Sequence, residues 1–219
     1  MRALVTGGTG RLGSAIVERL ERDGWSVLAA GRADGDVAHV RQARALVARA
    51  VEQLGGLDLL VNAAGEGFAS KPLDELDEAD WDTAFGATAK GSFFVSQAAA
   101  PHLRASRGCI VMLEDVAGYQ PWPSFAAHSA AKAAQAMLTR VLARALSPDV
   151  RVCGIAPGPV AVEPGQEERR AAETLLGRVG SPDDVASAVV YLAGAEFVTG
   201  STLFVDGGRM LKTGRAPRT

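Results

Sequence analysis

Short apolar runs alternate along the chain with longer segments in which apolar residues recur at helical spacing. The short runs predict strands over residues 3–6, 26–30, 57–61, 109–113, 150–155 and 203–205. The longer segments predict helices over residues 12–20, 40–54, 81–103, 125–146 and 183–192. Strands that alternate with helices need crossover connections, which favour parallel pairing. We therefore predict one α/β domain over residues 1–219, with a Rossmann-like doubly wound parallel sheet in three layers (α/β/α).

Composition and charge exclude several classes of protein. The chain of 219 residues is 47% apolar and 22% charged, which is ordinary for a globular domain and argues against disorder. Its formal net charge of -2 gives no basic field, so neither nucleic acid nor a membrane is an expected partner. No apolar run reaches the roughly 18 residues of a membrane span, and a strand that begins at Ala3 leaves no room for a targeting peptide before it. We therefore expect a soluble, cytoplasmic protein.

The cysteines and the C-terminal tail add little chemistry. Cys109 and Cys153 lie within apolar stretches, so we expect small buried residues that form neither a disulfide nor a metal site. The tail after Gly208 is expected to be a frayed, solvated end. It carries Arg209, Lys212, Arg215 and Arg218.

A glycine-rich turn joins the first predicted strand to the first predicted helix. Gly8, Gly10 and Gly13 follow the spacing in which glycines permit a tight turn, a close backbone approach to a pyrophosphate and close packing of helix on sheet. The helix N-terminus adds unpaired N–H groups and a positive dipole end. This arrangement predicts a dinucleotide site.

The residues after the second strand bear on which dinucleotide fits. A carboxylate there would bind a ribose 2′-hydroxyl, whereas an arginine accommodates a 2′-phosphate. The strand is followed by Arg32, and Arg11 lies in the glycine turn, so we expect two cations to converge on one corner and favour NADP(H). NAD(H) stays open as the less favoured alternative, because Asp34 or Asp36 could reach the ribose instead.

Several separated segments resemble the short-chain dehydrogenase/reductase family, and together they span essentially the whole chain. They are Thr-Gly-Gly-Thr-Gly-Arg-Leu-Gly at 6–13, Asn-Ala-Ala-Gly at 62–65, Pro-Gly-Pro-Val at 157–160, and the stretches 178–186 and 199–208. Lys132 also lies four residues after a candidate catalytic position. Within the family, Asp115 and the pair Gly208 and Arg209 are most similar to the pteridine reductase branch.

The resemblance implies a seven-stranded sheet, a bound nicotinamide dinucleotide and hydride transfer to or from a carbonyl, imine or similar group. Asp36 and Val37 would lie beside the adenine. The family usually has a further helix and strand between Arg32 and Val37, so we expect a trimmed sheet edge and a more exposed adenine pocket here. The implied cofactor-binding residues are Gly7, Thr9, Gly10, Arg11, Leu12, Gly13, Arg32, Asp36, Val37, Asn62, Ala63, Ala64, Gly65, Lys132, Pro157, Gly158 and Val160.

The catalytic positions depart from the family pattern, which usually combines Asn, Ser, Tyr and Lys. Thr88 stands at the asparagine position and Asp115 at the serine position. His128 stands at the tyrosine position, and only Lys132 is kept. The pteridine reductase branch also uses aspartate at the serine position, where a carboxyl could protonate or orient a nitrogen-rich ring. A carboxylate in a wet loop is the alternative.

His128 supports two opposite interpretations. His128 and Lys132 are four residues apart and share one face of the predicted helix. A phenol, with a pKa of about 10, needs cationic neighbours to work at neutral pH, whereas an imidazole near 6.5 needs none, and Asp115 could orient it. The nitrogens of an imidazole, however, lie closer to the backbone than the oxygen of a phenol. A proton donor that lies too far from the substrate transfers its proton slowly.

The main hypothesis is an NADPH-dependent oxidoreductase whose proton donor is His128, assisted by Asp115 and Lys132, acting on a small carbonyl, imine or pterin-like substrate. The alternative is an NADP(H)-binding sensor or scaffold of the same fold that has lost turnover. A flavin- or nucleotide-sugar-type enzyme is favoured only by the placement of Gly10. The resemblance of helices 81–103 and 125–146 to those that pair family members predicts a homodimer or homotetramer. A short segment at 161–176, rich in Glu and Arg, predicts an open substrate site.

Overall fold

Six parallel strands form the centre of the molecule within residues 1–66, 68 and 70–212, the part of the chain that the computed structural model describes. They are β1 Arg2–Thr6, β2 Ser26–Ala30, β3 Leu59–Asn62, β4 Cys109–Leu113, β5 Arg151–Pro157 and β6 Thr202–Val205. Their order across the sheet is β2-β1-β3-β4-β5-β6. The predicted Rossmann-like α/β fold is therefore confirmed, and the strand order reverses between β1 and β3.

Helices cover both faces of this sheet. They are α1 Arg11–Arg22, α2 Val40–Leu54, α3 Glu78–Phe85, α4 Ser92–Ser106, α5 Ala126–Leu146, α6 Glu167–Ala171 and α7 Pro182–Gly194. One face carries α2, α4 and α5, and the other carries α1 packed against α7. Gly55 ends α2 in the left-handed conformation, which glycine adopts without a steric penalty.

Successive strand residues belong to different halves of the core. In β1, Leu4 packs with the cluster under α2 and α4, whereas Ala3 and Val5 pack with the cluster under α1 and α7. β3 and β4 alternate in the same way. A strand that buries both faces must be apolar throughout, which explains why the sequence shows continuous apolar runs rather than an alternating pattern.

The sheet is one strand smaller than the resemblance implied. We expected seven strands, and the described residues form six. β2 is the edge strand, and a single turn at Arg32–Asp34 leads from it towards α2. Four residues cannot cross the sheet and return as another strand, so the predicted trimmed edge is confirmed.

The long helix predicted over residues 81–103 is interrupted. A π-helical segment, Gly86–Gly91, separates α3 from α4. At Gly91, an added Cβ would lie 2.9 Å from Cγ2 of Val37 and 3.1 Å from the Val37 carbonyl oxygen. The wider turn therefore lets this segment pass directly against the chain that leads into α2.

The tail is better anchored than predicted at its start. Arg209 is only 16% exposed and pairs with Glu173 at 3.0 Å, and Nζ of Lys212 donates to the carbonyl of Thr174 at 3.1 Å. The expectation of a frayed, solvated end is therefore wrong for Arg209, whereas Lys212 is exposed as expected but is held by a local acceptor. Arg215 and Arg218 lie outside the described residues.

Two further expectations concern burial and hydropathy. Cys109 and Cys153 are both buried and free, as predicted. No helix within the described residues is long and apolar enough to cross a membrane.

Candidate active site

One cleft of about 790 Å³ opens at the carboxyl ends of the strands. It lies where the strand order reverses, the usual place for a ligand in a doubly wound sheet. The turns after β1 and β3, the end of β4, the start of α5 and the loop after β5 all contribute to it. The predicted residues that line it are Gly7, Gly10, Arg11, Leu12, Gly13, Ala63, Gly65, Asp115, His128, Lys132, Pro157, Gly158 and Val160.

The glycine turn packs backbone against backbone. Gly7 has φ +67°, and an added Cβ would lie 2.7 Å from the carbonyl oxygen of Ala63 in the turn after β3. At Gly13, an added Cβ would lie 2.0 Å from the carbonyl oxygen of Gly7. Side chains are therefore sterically excluded from the junction of β1, α1 and the turn after β3.

This turn fits a dinucleotide phosphate. The N-terminus of α1 faces the cleft through Gly10, Arg11 and Leu12, and its first turn carries no acidic residue. Free N–H groups and the positive end of the helix dipole therefore point towards any anion bound here. The absence of Cβ atoms at Gly7 and Gly13 keeps the backbone within reach of such an anion.

Arg11 and Arg32 do not converge on one corner. The guanidinium of Arg11 contacts the carbonyl of Ala161 and binds Oε1 of Glu163 at 2.9 Å, in the loop after β5. Arg32 instead pairs with Glu66, after β3. The expected convergence is wrong because each arginine has its own acceptor, which the chain supplies from a segment distant in sequence.

The two acidic residues beside Arg32 are engaged locally. Asp34 accepts from the N–H of Gly31 at 3.0 Å with one oxygen and from Arg49 at 3.1 Å with the other. Asp36 accepts from the N–H of Ala38 at 2.9 Å. Both carboxylates therefore stabilise the short turn that replaces the missing strand.

The remaining predicted cofactor residues lie outside the lining of the cleft. Val37 is buried in the core cluster beside α2, and Asn62 is buried with its Nδ2 donating to Ser96 at 2.9 Å. Thr9 is exposed in the glycine turn, close to Gly31. The residues in this group are Thr9, Arg32, Asp36, Val37, Asn62 and Ala64.

His128, Asp115 and Lys132 meet on one wall of the cleft. His128 and Lys132 lie one turn apart on α5, as their spacing predicts, and Asp115 follows β4. Nε2 of His128 lies 3.6 Å from Oδ2 of Asp115, which is an ion-pair distance when the ring is protonated. Oδ1 of Asp115 accepts from the N–H of Ala117 at 2.7 Å, which fixes the carboxylate in place.

Lys132 is buried and held by two acceptors. Its Nζ donates to the carbonyl of Leu113 at 2.7 Å and to Oε1 of Gln135 at 3.0 Å. Burial lowers the pKa of Lys132 below its ordinary value, and the charges of Asp115 and Glu114 act in the opposite direction. Its ammonium is therefore positioned by the protein but loses its proton more readily than an exposed lysine does.

Five buried side-chain polar atoms have no hydrogen-bond partner among the described residues. They are both ring nitrogens of His128, Oγ of the adjacent Ser129, Oγ1 of Thr88 and Oδ1 of Asn62. Thr88 lies in the π-helical segment, and the position of a Cβ on Gly65 would be 3.5 Å from Oγ1 of Thr88 and 3.9 Å from Nζ of Lys132. Thr88 therefore belongs to the same corner as Lys132, although it does not line the cleft. Buried polar groups without partners are costly, and in native proteins they often mark a functional site.

A buried carboxylate behind this wall was missed by sequence reasoning. Glu114 is 2% exposed and accepts from the hydroxyls of Thr139 at 2.6 Å, Tyr119 at 2.6 Å and Thr202 at 3.0 Å. Burial and the hydrogen bond to Glu114 raise the pKa of the Tyr119 phenol. A carboxylate next to Asp115, at the end of a fully buried strand, was the available signal.

An aromatic wall, consisting of Phe68, Trp122 and Phe125, was also missed. The rings of Phe68 and Phe125 stack at 4.7 Å, and Trp122 meets Phe125 edge to face at 5.9 Å. Phe68 also packs edge to face on His128 at 4.9 Å. The run Pro121-Trp122-Pro123 was the sequence signal, because rigid prolines around a large ring favour a fixed surface.

Comparison with known proteins agrees with this architecture. The family model for enoyl-(acyl carrier protein) reductases matches residues 13–209. A 4-formylbenzenesulfonate dehydrogenase of Comamonas testosteroni is 35% identical, over 94% of this chain and 96% of its own length. A 3β-hydroxysteroid dehydrogenase of Eggerthella lenta is also 35% identical, over 96% of this chain and 94% of its own length.

A solved structure agrees as well. A short-chain dehydrogenase/reductase from Brucella melitensis superposes with a TM-score of 0.86 at 30% identity, over 95% of each chain. With the cleft at the switch point and the phosphate-binding turn in place, the chain belongs to the short-chain dehydrogenase/reductase family and is an NAD(P)-dependent oxidoreductase of that type.

Proposed function

We propose that this protein is an NADPH-dependent reductase in which His128 is the proton donor, and that it acts on a small carbonyl, imine or pterin-like substrate. The observation that carries the proposal is the corner around His128. A buried imidazole whose two nitrogens have no partner within residues 1–66, 68 and 70–212 lines the cleft, one helical turn from the buried Lys132. A structural histidine would have its ring nitrogens satisfied by the protein.

Each side chain of this corner has a separate part. When bound, the nicotinamide dinucleotide supplies the hydride equivalent. His128 holds a proton for the substrate heteroatom, and Asp115 lies within ion-pair distance to stabilise the charged ring. Lys132 places a positive charge beneath the site, where the carbonyl of Leu113 fixes its position. Thr88 stands at the position of the family's asparagine, and its hydroxyl is available to a bound water or ligand.

The preference for NADP(H) rests on the turn after β2. Arg32 is 62% exposed there, and Asp34 and Asp36 are both occupied by local N–H groups. Each carboxylate of this turn already accepts a hydrogen bond from a local N–H, whereas a 2′-phosphate can exchange with Glu66 for the guanidinium of Arg32. The test is to compare NADPH and NADH affinities in the natural protein and in Arg32→Gln, which should weaken NADPH binding only.

The sensor or scaffold alternative is favoured by one observation. Both ring nitrogens of His128 are buried, and the Phe68 ring lies against the imidazole. Under this alternative the protein binds NADP(H) through its glycine turn and has no turnover. The two functions therefore differ in rate and not in cofactor binding.

The deciding experiment is NADPH consumption with a panel of dihydropterins, quinones, ketones and aldehydes. His128→Gln should lower kcat by at least about 100-fold, because a positioned general acid contributes that much or more. His102→Gln on α4 is the matched control and should retain full activity.

The outcomes separate the candidates. Unchanged turnover in His128→Gln would contradict the proposed role of His128. Activity that appears only in His128→Tyr would show an intact scaffold whose natural acid is misplaced, and would favour the sensor. Binding of NADPH with no turnover in either protein across a broad panel would do the same.

We also propose that the protein forms a homodimer or homotetramer through α4 and α5. Met137 and Val141 lie one turn apart on α5 and are 54% and 49% exposed. Met137→Lys should shift the mass measured by light scattering towards that of a single chain. An unchanged mass would remove α5 from the interface.

A further inference from the structure

The substrate end of the cleft combines aromatic rings with arginines, and this combination points to a class of substrate. We propose that it selects a flat aromatic carbonyl compound that carries an anionic group, a carboxylate or a sulfonate, and that Arg209 and Arg170 bind the anion. The inference deepens the proposed function and depends on it for the identity of the reacting end.

The aromatic wall provides a continuous apolar surface. It begins at His128, where Phe68 packs at 4.9 Å, and continues through Phe125 to Trp122 by ring contacts of 4.7 and 5.9 Å. Phe68 is 59% exposed, and Trp122 and Phe125 are half-buried, so each ring still presents surface to the cleft. Flat rings stack well on such a surface, with a gain beyond that of the buried area alone.

The two arginines lie at the far end of this wall. The guanidinium of Arg209 lies 4.6 Å above the ring of Trp122 and binds Oε2 of Glu173 at 3.0 Å. Arg170 binds Oε1 of the same carboxylate at 3.0 Å. Both arginines line the cleft, whereas Glu173 does not.

Arg209, Arg170 and Glu173 form a triad with two positive charges and one negative charge. Two guanidiniums share one carboxylate, so one positive charge is unmatched within the triad. Arg209 is only 16% exposed, and water therefore screens its charge weakly. A guanidinium also presents several N–H groups in one plane, which suits a carboxylate or a sulfonate.

The arrangement fits an aromatic anion better than other ligands. A neutral polycyclic substrate would gain nothing from the unmatched positive charge. An aliphatic acid would use the arginines but would stack poorly on the three rings. A ring with an anionic group at one end and a carbonyl at the other uses the arginines, the aromatic wall and the wall that carries His128.

The test is equilibrium binding, which does not depend on turnover. Benzoate, benzenesulfonate and benzamide are titrated into the NADP⁺-loaded protein by calorimetry. We expect the natural protein to bind the two anions at least about tenfold more tightly than the amide, the size of effect given by a charge-assisted pair. Arg209→Met should remove this preference and leave benzamide binding unchanged, and Arg209→Lys should restore part of it.

Controls separate recognition from a structural role. Arg19→Met removes an ion pair with Asp23 on α1, away from the cleft, and should change neither affinity. Equal binding of benzoate and benzamide, or no binding of either, would overturn the proposal, as would an equal loss of both in Arg209→Met. An anion preference in a protein without turnover would leave this inference standing and would refute only the proposed reductase.

Discussion

Two regions of the cleft are built in opposite ways. In the glycine turn, backbone atoms of β1, α1 and the turn after β3 lie so close that a Cβ on Gly7 or Gly13 would overlap a carbonyl oxygen. Around His128, the fold instead buries polar side chains and leaves several of their atoms unpartnered among the described residues. The glycine turn is therefore stabilised by its own packing, and no ligand is needed for that. Around His128, the unpartnered polar atoms lower the stability of the fold, and a bound ligand that pairs with them can offset this cost.

The largest change in stability should come from a substitution in the closely packed glycine turn. Gly13→Ala places a methyl group 2.0 Å from the carbonyl oxygen of Gly7, and backbone cannot yield as a flexible side chain can. We expect the free energy of unfolding to fall by about 3 kcal/mol and cofactor binding to be lost. Urea unfolding and NADPH titration measure the two effects.

Gly194→Ala at the end of α7 is the matched control. An added Cβ meets no atom within 4 Å there, and alanine favours a helix over glycine by about 1 kcal/mol. Its free energy of unfolding should stay equal or rise. If Gly13→Ala behaved like this control, the glycine turn would not be closely packed.

Near His128, removing an unpartnered polar group should instead raise the free energy of unfolding. Thr88 and Thr139 are both fully buried, but in the described part of the chain only the hydroxyl of Thr139 has a partner, Glu114 at 2.6 Å. Thr88→Val should raise the free energy of unfolding by about 1 kcal/mol while it lowers turnover, because it removes an unpartnered polar group. Thr139→Val should lower the free energy of unfolding by about 2 kcal/mol. Destabilisation by Thr88→Val would show that its hydroxyl already has a partner.

The smallest expected effect is a change in the pKa of Lys132 when Asp115 is replaced. Burial lowers the pKa of Lys132, and Asp115 partly opposes this. Asp115→Asn should therefore lower the pKa of Lys132 further, which ¹⁵N-resolved NMR can follow because the chain has only four lysines. Lys71 is the internal reference, since its hydrogen bond to Asp80 raises its pKa and should not respond. A rise at Lys132 would mean that Asp115 does not act on it as an anion.

The same shift predicts how stability depends on pH. The pKa of Lys132 is lower in the folded state, so the unfolded chain binds more protons between that value and about 10.5. The contribution of Lys132 to the free energy of unfolding should therefore increase as pH rises through this window. Lys132→Met should remove that part of the pH dependence in chemical unfolding.

The sequence predicted what depends on local patterns. Apolar runs identified the buried strands, and glycine spacing identified the turn where a Cβ has no room. The missing residues after Arg32 predicted the trimmed edge, because four residues cannot form a further strand. The spacing of His128 and Lys132 placed both side chains on one face of α5.

Long-range pairing could not be predicted in this way. The acceptors of Arg11 and Arg209 lie in segments that the fold brings together, 152 residues away in the case of Glu163. The convergence of Arg11 with Arg32 was wrong for this reason. The break between α3 and α4 depends on how closely Val37 approaches Gly91, which no helical periodicity records.

The trimmed sheet edge bears on how strongly the ionic strength of the medium affects cofactor binding. A turn of a few residues gives an adenine less apolar surface than a helix and a strand would, so phosphate contacts must provide a larger share of cofactor affinity. Those contacts are ionic, and dissolved salt weakens them where they are exposed. We expect the nicotinamide dinucleotide to dissociate much more readily at high ionic strength, which would make cofactor occupancy sensitive to the salt content of the cell.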